Sequence, residues 1–196
     1  MSPQTIHFIR HGQTGWNAEA RLQGQADTDI GDLGREQAAR NGRRLAELLP
    51  DPSGHDFVAS PLRRTRETME IVRRAMGLDP MGYRVEPRLM ELHFGDWQGS
   101  TYAELEAASP GSTEGRKADK WNFRPPGEAA ESYEMLAGRV KPWLDAVDRP
   151  TVCVTHGGVI RAVFRLLGGW SSAAAADIDI PQDRVLAWDG ARLEWT

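Results

Sequence analysis

Two short apolar runs, far apart in this chain, stop in the same way. Residues 6–9 end at Arg10-His11-Gly12, and the β-prone run Thr151–Thr155 ends at His156-Gly157-Gly158. A short apolar run with an abrupt polar stop reads as a buried strand ending in a turn. Between them the period changes. Residues 32–49 carry Ala38, Leu45, Leu48 and Leu49 at helical spacing, with Pro50 just beyond. Residues 57–59 form another short strand, and Ser60-Pro61 reads as an N-cap and first helical position ahead of the stripe Leu62, Thr65, Met69, Val72 and Met76. Strands alternating with helices predict an α/β fold with a mostly parallel sheet. Ligands bind beyond the carboxyl ends of the strands in such sheets, so each run delivers a histidine to that edge.

The remaining segments are weaker. Residues 83–89 are a strand candidate, and 102–108 a short helix. The stretch 109–130, rich in Gly, Pro and charge, reads as a long excursion over the surface, of the kind that serves as a lid or stays disordered. Residues 131–147 return to helical spacing, with Pro142 predicting a kink or break. A helix is expected after His156, and residues 171–176 carry no chemistry that can be named. A hairpin is predicted around Asp189-Gly190. With 196 residues, no internal repeat and no clear linker, the whole of 1–196 is expected to form one domain.

Composition narrows the partners. A net charge of -4 argues against nonspecific nucleic-acid binding, though a local cationic pocket can still focus a small anion. No apolar run approaches the roughly 20 residues of a membrane span. Residues 1–5 lack the basic and apolar regions of a leader, and the single cysteine, Cys153, suits a reducing compartment. A cytoplasmic protein acting on a small molecule, with no nucleic-acid or membrane partner, is the expectation. Cys153 reads as a small core residue and His7 as a packed one. His55-Asp56 lacks further ligand partners, there is no zinc pattern and no glycine-rich nucleotide motif, so no metal and no cofactor are expected.

The chemistry lies in three ingredients. Two strand-end imidazoles, His11 and His156, are followed by glycine. Guanidinium groups lie nearby: Arg10 beside His11, and Arg63, Arg64 and Arg66 early in the helix after Ser60, where one inward-pointing member suffices to grip an anion. The residues alone do not separate those three; Arg63, Arg66, Arg73 and Arg74 read as a solvated basic face. Glu91, set among Leu89, Met90, Leu92 and Phe94, is a carboxyl in apolar surroundings, where the protonated form of a general acid is favoured. His93 is left open, and Trp97, Trp121 and Trp170 are candidates to line a pocket.

The segment Arg10-His11-Gly12-Gln13-Thr14-Gly15-Trp16-Asn17 resembles the signature of the histidine phosphatase superfamily, phosphoglycerate mutase-like branch. The resemblance continues in order through Arg21-Leu22-Gln23-Gly24, Gly34-Arg35-Glu36-Gln37-Ala38, Ser60 to Thr68, Glu91 to Gly99, and Val154 to Arg161. It implies a three-layer α/β/α sandwich and a phosphohistidine mechanism on small phosphorylated metabolites, without metal. His11 would accept the phosphoryl group, and Arg10, Arg64 and His156 would complete its pocket. Glu91 would be the proton donor. Asn17, Gln23, Gly24 and the backbone of Gly157 would contact substrate. Spacing within the resemblance picks Arg64 from its neighbours. Two departures stand out: Gly31 replaces a common Thr, and Pro125-Pro126-Gly127-Glu128-Ala129-Ala130-Glu131-Ser132 carries a small insertion. The alternatives are mutase-type phosphoryl transfer, against which the missing lysine after Gly99 speaks, and a non-catalytic phosphate-binding module. Arg116, Lys117, Lys120 and Arg124 read mainly as solvated surface, with recognition of a second anionic group, a carboxylate or another phosphate, as the other reading.

Overall fold

The computed structural model describes residues 4–196, so residues 1–3 of the stretch read for a leader lie outside the described residues. Six strands form one sheet: β1 (Ile6–Arg10), β2 (Asp56–Ala59), β3 (Arg84–Val85), β4 (Thr151–Thr155), β5 (Val185–Trp188) and β6 (Leu193–Trp195). Their spatial order is β3-β2-β4-β1-β5-β6. The first four in that row run parallel, while β5 and β6 are antiparallel to their neighbours. The helices are α1 (Gly15–Ala18), α2 (Asp32–Leu48), α3 (Arg63–Ala75), α4 (Tyr102–Ala108), α5 (Glu114–Ala118), α6 (Tyr133–Leu144), α7 (Gly157–Leu166) and α8 (Ser172–Asp177).

Period-two alternation in the central strands sends side chains to two cores. Phe8 and Cys153 face Leu136, Val140, Trp143, Ile160 and Val163 of α6 and α7. Ile9, Val152 and Val154 face Leu45 of α2 and Met69 and Val72 of α3. Helices on both faces force both sides of β1 and β4 to be apolar, which is why these strands read as continuous runs. Phe8 is fully buried, edge-on to Trp143 with ring centres 6.3 Å apart. Truncating it to alanine would cost about 3–5 kcal/mol. The result is the three-layer α/β/α arrangement with a mostly parallel sheet.

Several local expectations are corrected. Helix α3 begins at Arg63 with Leu62 as its cap residue and no side-chain cap, so Ser60 is not the N-cap. Its hydroxyl is engaged elsewhere, as described below. Residues 83–89 yield only the two-residue β3 and a 3-10 turn at Pro87–Leu89. Helix α6 runs through Pro142 and ends two residues later. The 109–130 stretch holds α5 and buries Thr113, Arg116 and Trp121. Arg116 is therefore no surface residue. Residues 171–176 lie largely in α8, whose Ala175 and Ala176 pack into the core. Arg73 is buried as well: its guanidinium stacks over Phe57 at 4.3 Å and donates to the Asp79 carbonyl.

Candidate active site

Register explains why residues so distant in sequence converge. Arg10 of β1 pairs with Thr155 of β4, so the next residues, His11 and His156, emerge side by side. The His11 N–H donates to the Thr155 carbonyl at 2.9 Å, carrying the ladder one step past the strand. On the other side of β4, Ala59 of β2 pairs with Val154, and the Ser60 N–H donates to the Val154 carbonyl. Three neighbouring parallel strands thus end in His11, His156 and Ser60.

The imidazoles of His11 and His156 lie edge to face, ring centres 5.3 Å apart. His11 Nδ1 is 2.8 Å from the Gly12 carbonyl, which fixes the hydrogen on Nδ1 and leaves Nε2 with its lone pair. Burial, then the Arg64 and Arg10 charges, push the His11 imidazole well below its ordinary value, against a smaller opposing effect of the Gly12 hydrogen bond. His156, fully buried, is pushed the same way by burial and by Arg64. Its Nε2 is 2.7 Å from the Ser60 hydroxyl, and its Nδ1 has no partner among the described residues. Both rings are neutral at pH 7. The turn at Gly12 is fixed by close packing: a Cβ there would strike the backbone of Gly34 in the first turn of α2. The Gly12 N–H also donates to the Thr68 hydroxyl of α3, tying the nucleophile's turn to the helix that carries Arg64.

Arg64, fully buried, is pinned by two carbonyls: Nη1 donates to Ala26 at 2.7 Å and Nη2 to Gly24 at 2.6 Å. Arg10 donates from Nη1 to the Ile180 carbonyl. Each keeps a buried Nε–H without a partner among the described residues. Burial lowers both guanidinium groups, Arg64 to about 10, where it stays charged at neutral pH. Of its neighbours, Arg63 pairs with Asp29 and Arg66 is exposed.

Glu91 lies across the site. Rather than an apolar wrapping, its oxygens find two backbone donors: Leu92 N–H to Oε1 at 2.9 Å and Gly158 N–H to Oε2 at 3.0 Å. His156 caps α7 without a side-chain bond, so Glu91 supplies the acceptor for that helix terminus from a distant segment. A Cβ on Gly158 would collide with Glu91 Oε1, so glycine is needed for the carboxyl to reach this place. The main chain around Glu91 is clamped in turn. Arg139 of α6 donates to the carbonyls of Arg88 and Met90 and pairs with Glu131 at 2.8 Å, while Gln25 donates to the Glu91 carbonyl.

Arg10, His11, Asn17, Gln23, Gly24, Arg64, Glu91 and Gly157 all line one hollow of about 140 Å³. His156 stands behind that wall. Asn17 accepts at Oδ1 from Thr14 and Gln182, leaving its Nδ2 hydrogens for a ligand. Gln23 is bonded to Thr28, and Gly24 holds Arg64 as well as forming the edge. His93 accepts from the Gly95 N–H and is not on the wall; nor are Trp97, Trp121 or Trp170. Cys153 is sealed in the core, where burial pushes its thiol up. Among the residues that sequence reasoning missed are Ser60, Arg161, Tyr133 and the Arg139 clamp. Ser60 was open to the strand-end rule already applied to the histidines. Arg161, on the first turns of α7 after His156-Gly157, was within the quoted motif but unassigned.

Comparison with known proteins identifies the family. Residues 6–193 match the family model of the histidine phosphatase superfamily (branch 1). Glucosyl-3-phosphoglycerate phosphatase of Mycolicibacterium vanbaalenii is 38% identical over 86% of this chain and 76% of its own length. A probable phosphoglycerate mutase of Erwinia tasmaniensis is 33% identical over 97% and 86%. The structure of a mycobacterial glucosyl-3-phosphoglycerate phosphatase complexed with VO3 superposes with a TM-score of 0.79 at 31% identity, covering 98% of this chain and 97% of that one. With a family match along nearly its whole length and relatives above 30% identity, the chain belongs to the histidine phosphatase superfamily.

Proposed function

We propose that this enzyme, a phosphomonoester hydrolase of its superfamily, acts on small phosphorylated metabolites through a phosphohistidine formed at His11. The observation that carries the reading is the pairing of a neutral, tautomer-fixed His11 with two arginines whose buried Nε–H groups have no partner. A phosphoryl group placed against His11 supplies the acceptors those donors need.

The steps follow from the atoms. His11 Nε2 attacks phosphorus, and the bond from phosphorus to the alcohol oxygen breaks. A protonated Glu91 gives its proton to the leaving alkoxide. Arg10 and Arg64 hold the equatorial oxygens, with the Gly157 N–H at the start of α7 beside them. His156 donates a hydrogen bond from Nδ1 to the phosphoryl group while its Nε2 accepts one from the Ser60 hydroxyl. In the second half Glu91, now a carboxylate, takes a proton from water as the water oxygen attacks phosphorus. The phosphorus–nitrogen bond breaks, and inorganic phosphate leaves with His11 and Glu91 restored. No step requires a metal.

The test is a rapid-quench reaction with a radiolabelled phosphate ester. Label should be held on protein in an acid-labile, base-stable form and be absent from His11→Ala. Turnover without such an intermediate overturns the mechanism. The likeness to a probable mutase supports a second reading, return of the phosphoryl group to another hydroxyl. Isomerisation of 3-phosphoglycerate with a bisphosphoglycerate primer, faster than phosphate release, would favour it.

A further inference from the structure

The sheet edge that gathers Ser60, His156 and His11 has a fourth neighbour. Strand β5 lies next to β1 and runs against it, with Ile9 opposite Val185. The chain entering β5 therefore passes beside the chain leaving β1. Four residues on the wall of the hollow, Arg10, His11, Asn17 and Arg161, are tied to this approach, residues 178–182 between α8 and β5. The Arg161 Nε donates to the Ile178 carbonyl at 3.0 Å, and the Arg10 Nη1 to the Ile180 carbonyl at 2.7 Å. The Gln182 Nε2 donates to the His11 carbonyl at 3.0 Å and to Asn17 Oδ1 at 3.1 Å. The segment is itself anchored. Ile180 is fully buried in the core, and the Gln182 carbonyl accepts from the side chain of Asn41, buried on α2.

Asn17 is the wall residue that most needs such a tie. It sits on α1, a single helical turn none of whose residues is buried. A turn that short is not stable by itself, and with no buried face packing does not choose the rotamer of Asn17. Hydrogen bonds do. The Thr14 N–H points at Asn17 Oδ1 at 3.1 Å, so that atom is the oxygen of the amide. Both atoms facing Gln182 are then acceptors, which defines the Gln182 amide in turn: its two Nε2 hydrogens go one to the His11 carbonyl and one to Asn17. The Thr14 bonds to Asn17 lie within the turn. Among the described residues, the Gln182 bond is the one hydrogen bond that ties the Asn17 side chain to the rest of the molecule.

We propose that Gln182 is a positioning residue for phosphoryl transfer: its amide, shared between the His11 main chain and Asn17, holds the nucleophile and the Asn17 donor at a set separation. This deepens the phosphohistidine reading and rests on it. Gln182 is not on the wall of the hollow and does not meet the phosphoryl group; it acts through the two residues that do. Donors aimed at the transferring oxygens count most when charge and geometry change in the transition state, so loss of the tie falls on kcat more than on KM.

The test is a double-mutant cycle of wild type, Gln182→Met, Asn17→Ala and the two changes together, read as kcat/KM on p-nitrophenyl phosphate. Methionine keeps the length of the side chain and removes both donors. Gln182→Met should lose about tenfold in kcat/KM, mostly in kcat. In the Asn17→Ala background the same change should cost about threefold or less, the share that passes through His11. A merely structural role costs the same factor in both backgrounds, and that result overturns the proposal, as does a loss under about twofold in Gln182→Met. Should Gln182→Met fail to fold, Gln182→Glu carries the cycle. It keeps the shape and sets an oxygen against two acceptors, so its loss should be about tenfold or more and should shrink in the same way without Asn17. A wild-type protein that releases no phosphate from this activated ester refutes the hydrolase reading instead. Calorimetric Kd values for orthovanadate with the same four proteins then decide the positioning role by the same factors, and a wild type that does not bind vanadate sinks both.

Discussion

A buried histidine lies near each end of strand β1, His7 within it and His11 just past it, and only one of them is placed for chemistry. His7 and His11 are 6% and 3% exposed, and both imidazoles are pushed down chiefly by burial. The second influence on each differs. Around His7 it is the like-charged form of His55; around His11 it is Arg64 and Arg10, with a carbonyl holding the tautomer. His7 Nδ1 has no partner among the described residues and lines no described cavity, whereas His11 opens on a hollow shared with Glu91. Burial alone makes a neutral ring. A nucleophile needs in addition a fixed lone pair, a surface to meet substrate, and cations that lose their isolation when phosphate arrives.

The contrast breaks most sharply on deletion. His11→Ala should lower phosphate release by about 10⁴-fold or more, since the acceptor itself is gone. His7→Ala should change kcat by less than threefold in protein that remains folded. Steady-state assays with p-nitrophenyl phosphate measure both, and comparable losses would erase the distinction between the two ends of the strand.

Next in size are changes to the acid. Glu91→Gln should cost roughly 10²–10³-fold on an alkyl phosphate and much less on p-nitrophenyl phosphate, whose leaving group needs little protonation. Gly158→Ala should mimic it. The added methyl meets the flexible end of the Glu91 side chain and the tip of Leu136, not backbone, so the melting temperature should move little while alkyl phosphate turnover falls about 10²-fold. Equal losses on both esters would remove Glu91 from the acid's role.

A smaller effect is expected at the third strand end. Ser60→Ala removes the hydroxyl that fixes His156, a loss on the order of 1 kcal/mol and so roughly tenfold in kcat, with KM little changed. An unaltered kcat would place Ser60 with His7, as packing.

The same contrast marks what could be read from sequence. Strand ends are legible because parallel strands covered on both faces give apolar runs with sudden polar stops. His11 and His156 therefore stood out, and the ordered motifs located Arg64 and Glu91. Ser60 satisfied the same rule but was taken for a cap, because a serine before proline and a helical stripe also fits one. Arg73 and Arg116 were assigned to water because charge alone was visible. Phe57 and Asp79 bury one, and Phe94, Tyr133 and Tyr102 the other, partners whose proximity only the packed chain creates. The surroundings of Glu91 failed for a related reason. Its neighbours in sequence are apolar, yet its oxygens reach the backbone of α7, 67 residues away.

The subtlest way to sharpen the comparison is through pH. His7 is lowered from 6.5 to about 4 in the fold. The unfolded chain therefore binds the extra proton first, and stability rises with pH between those two values. The contribution is fully present above about pH 6.5 and is lost as pH falls toward 4, a difference of about 3 kcal/mol for this one group. His11 and His156 are shifted in the same direction, so wild-type stability should climb across this window by more than one histidine allows. His7→Leu removes one part of that slope without touching the hollow. Urea titrations at pH 4.5 and 7.5 should show the stability gap between the two pH values narrowing by about 2–3 kcal/mol in the variant, with phosphate release at pH 7.5 retained. An unchanged gap would mean that His7 takes up its proton in the folded chain as readily as in the unfolded one, and that its burial, unlike that of His11, has no consequence for the charge it carries.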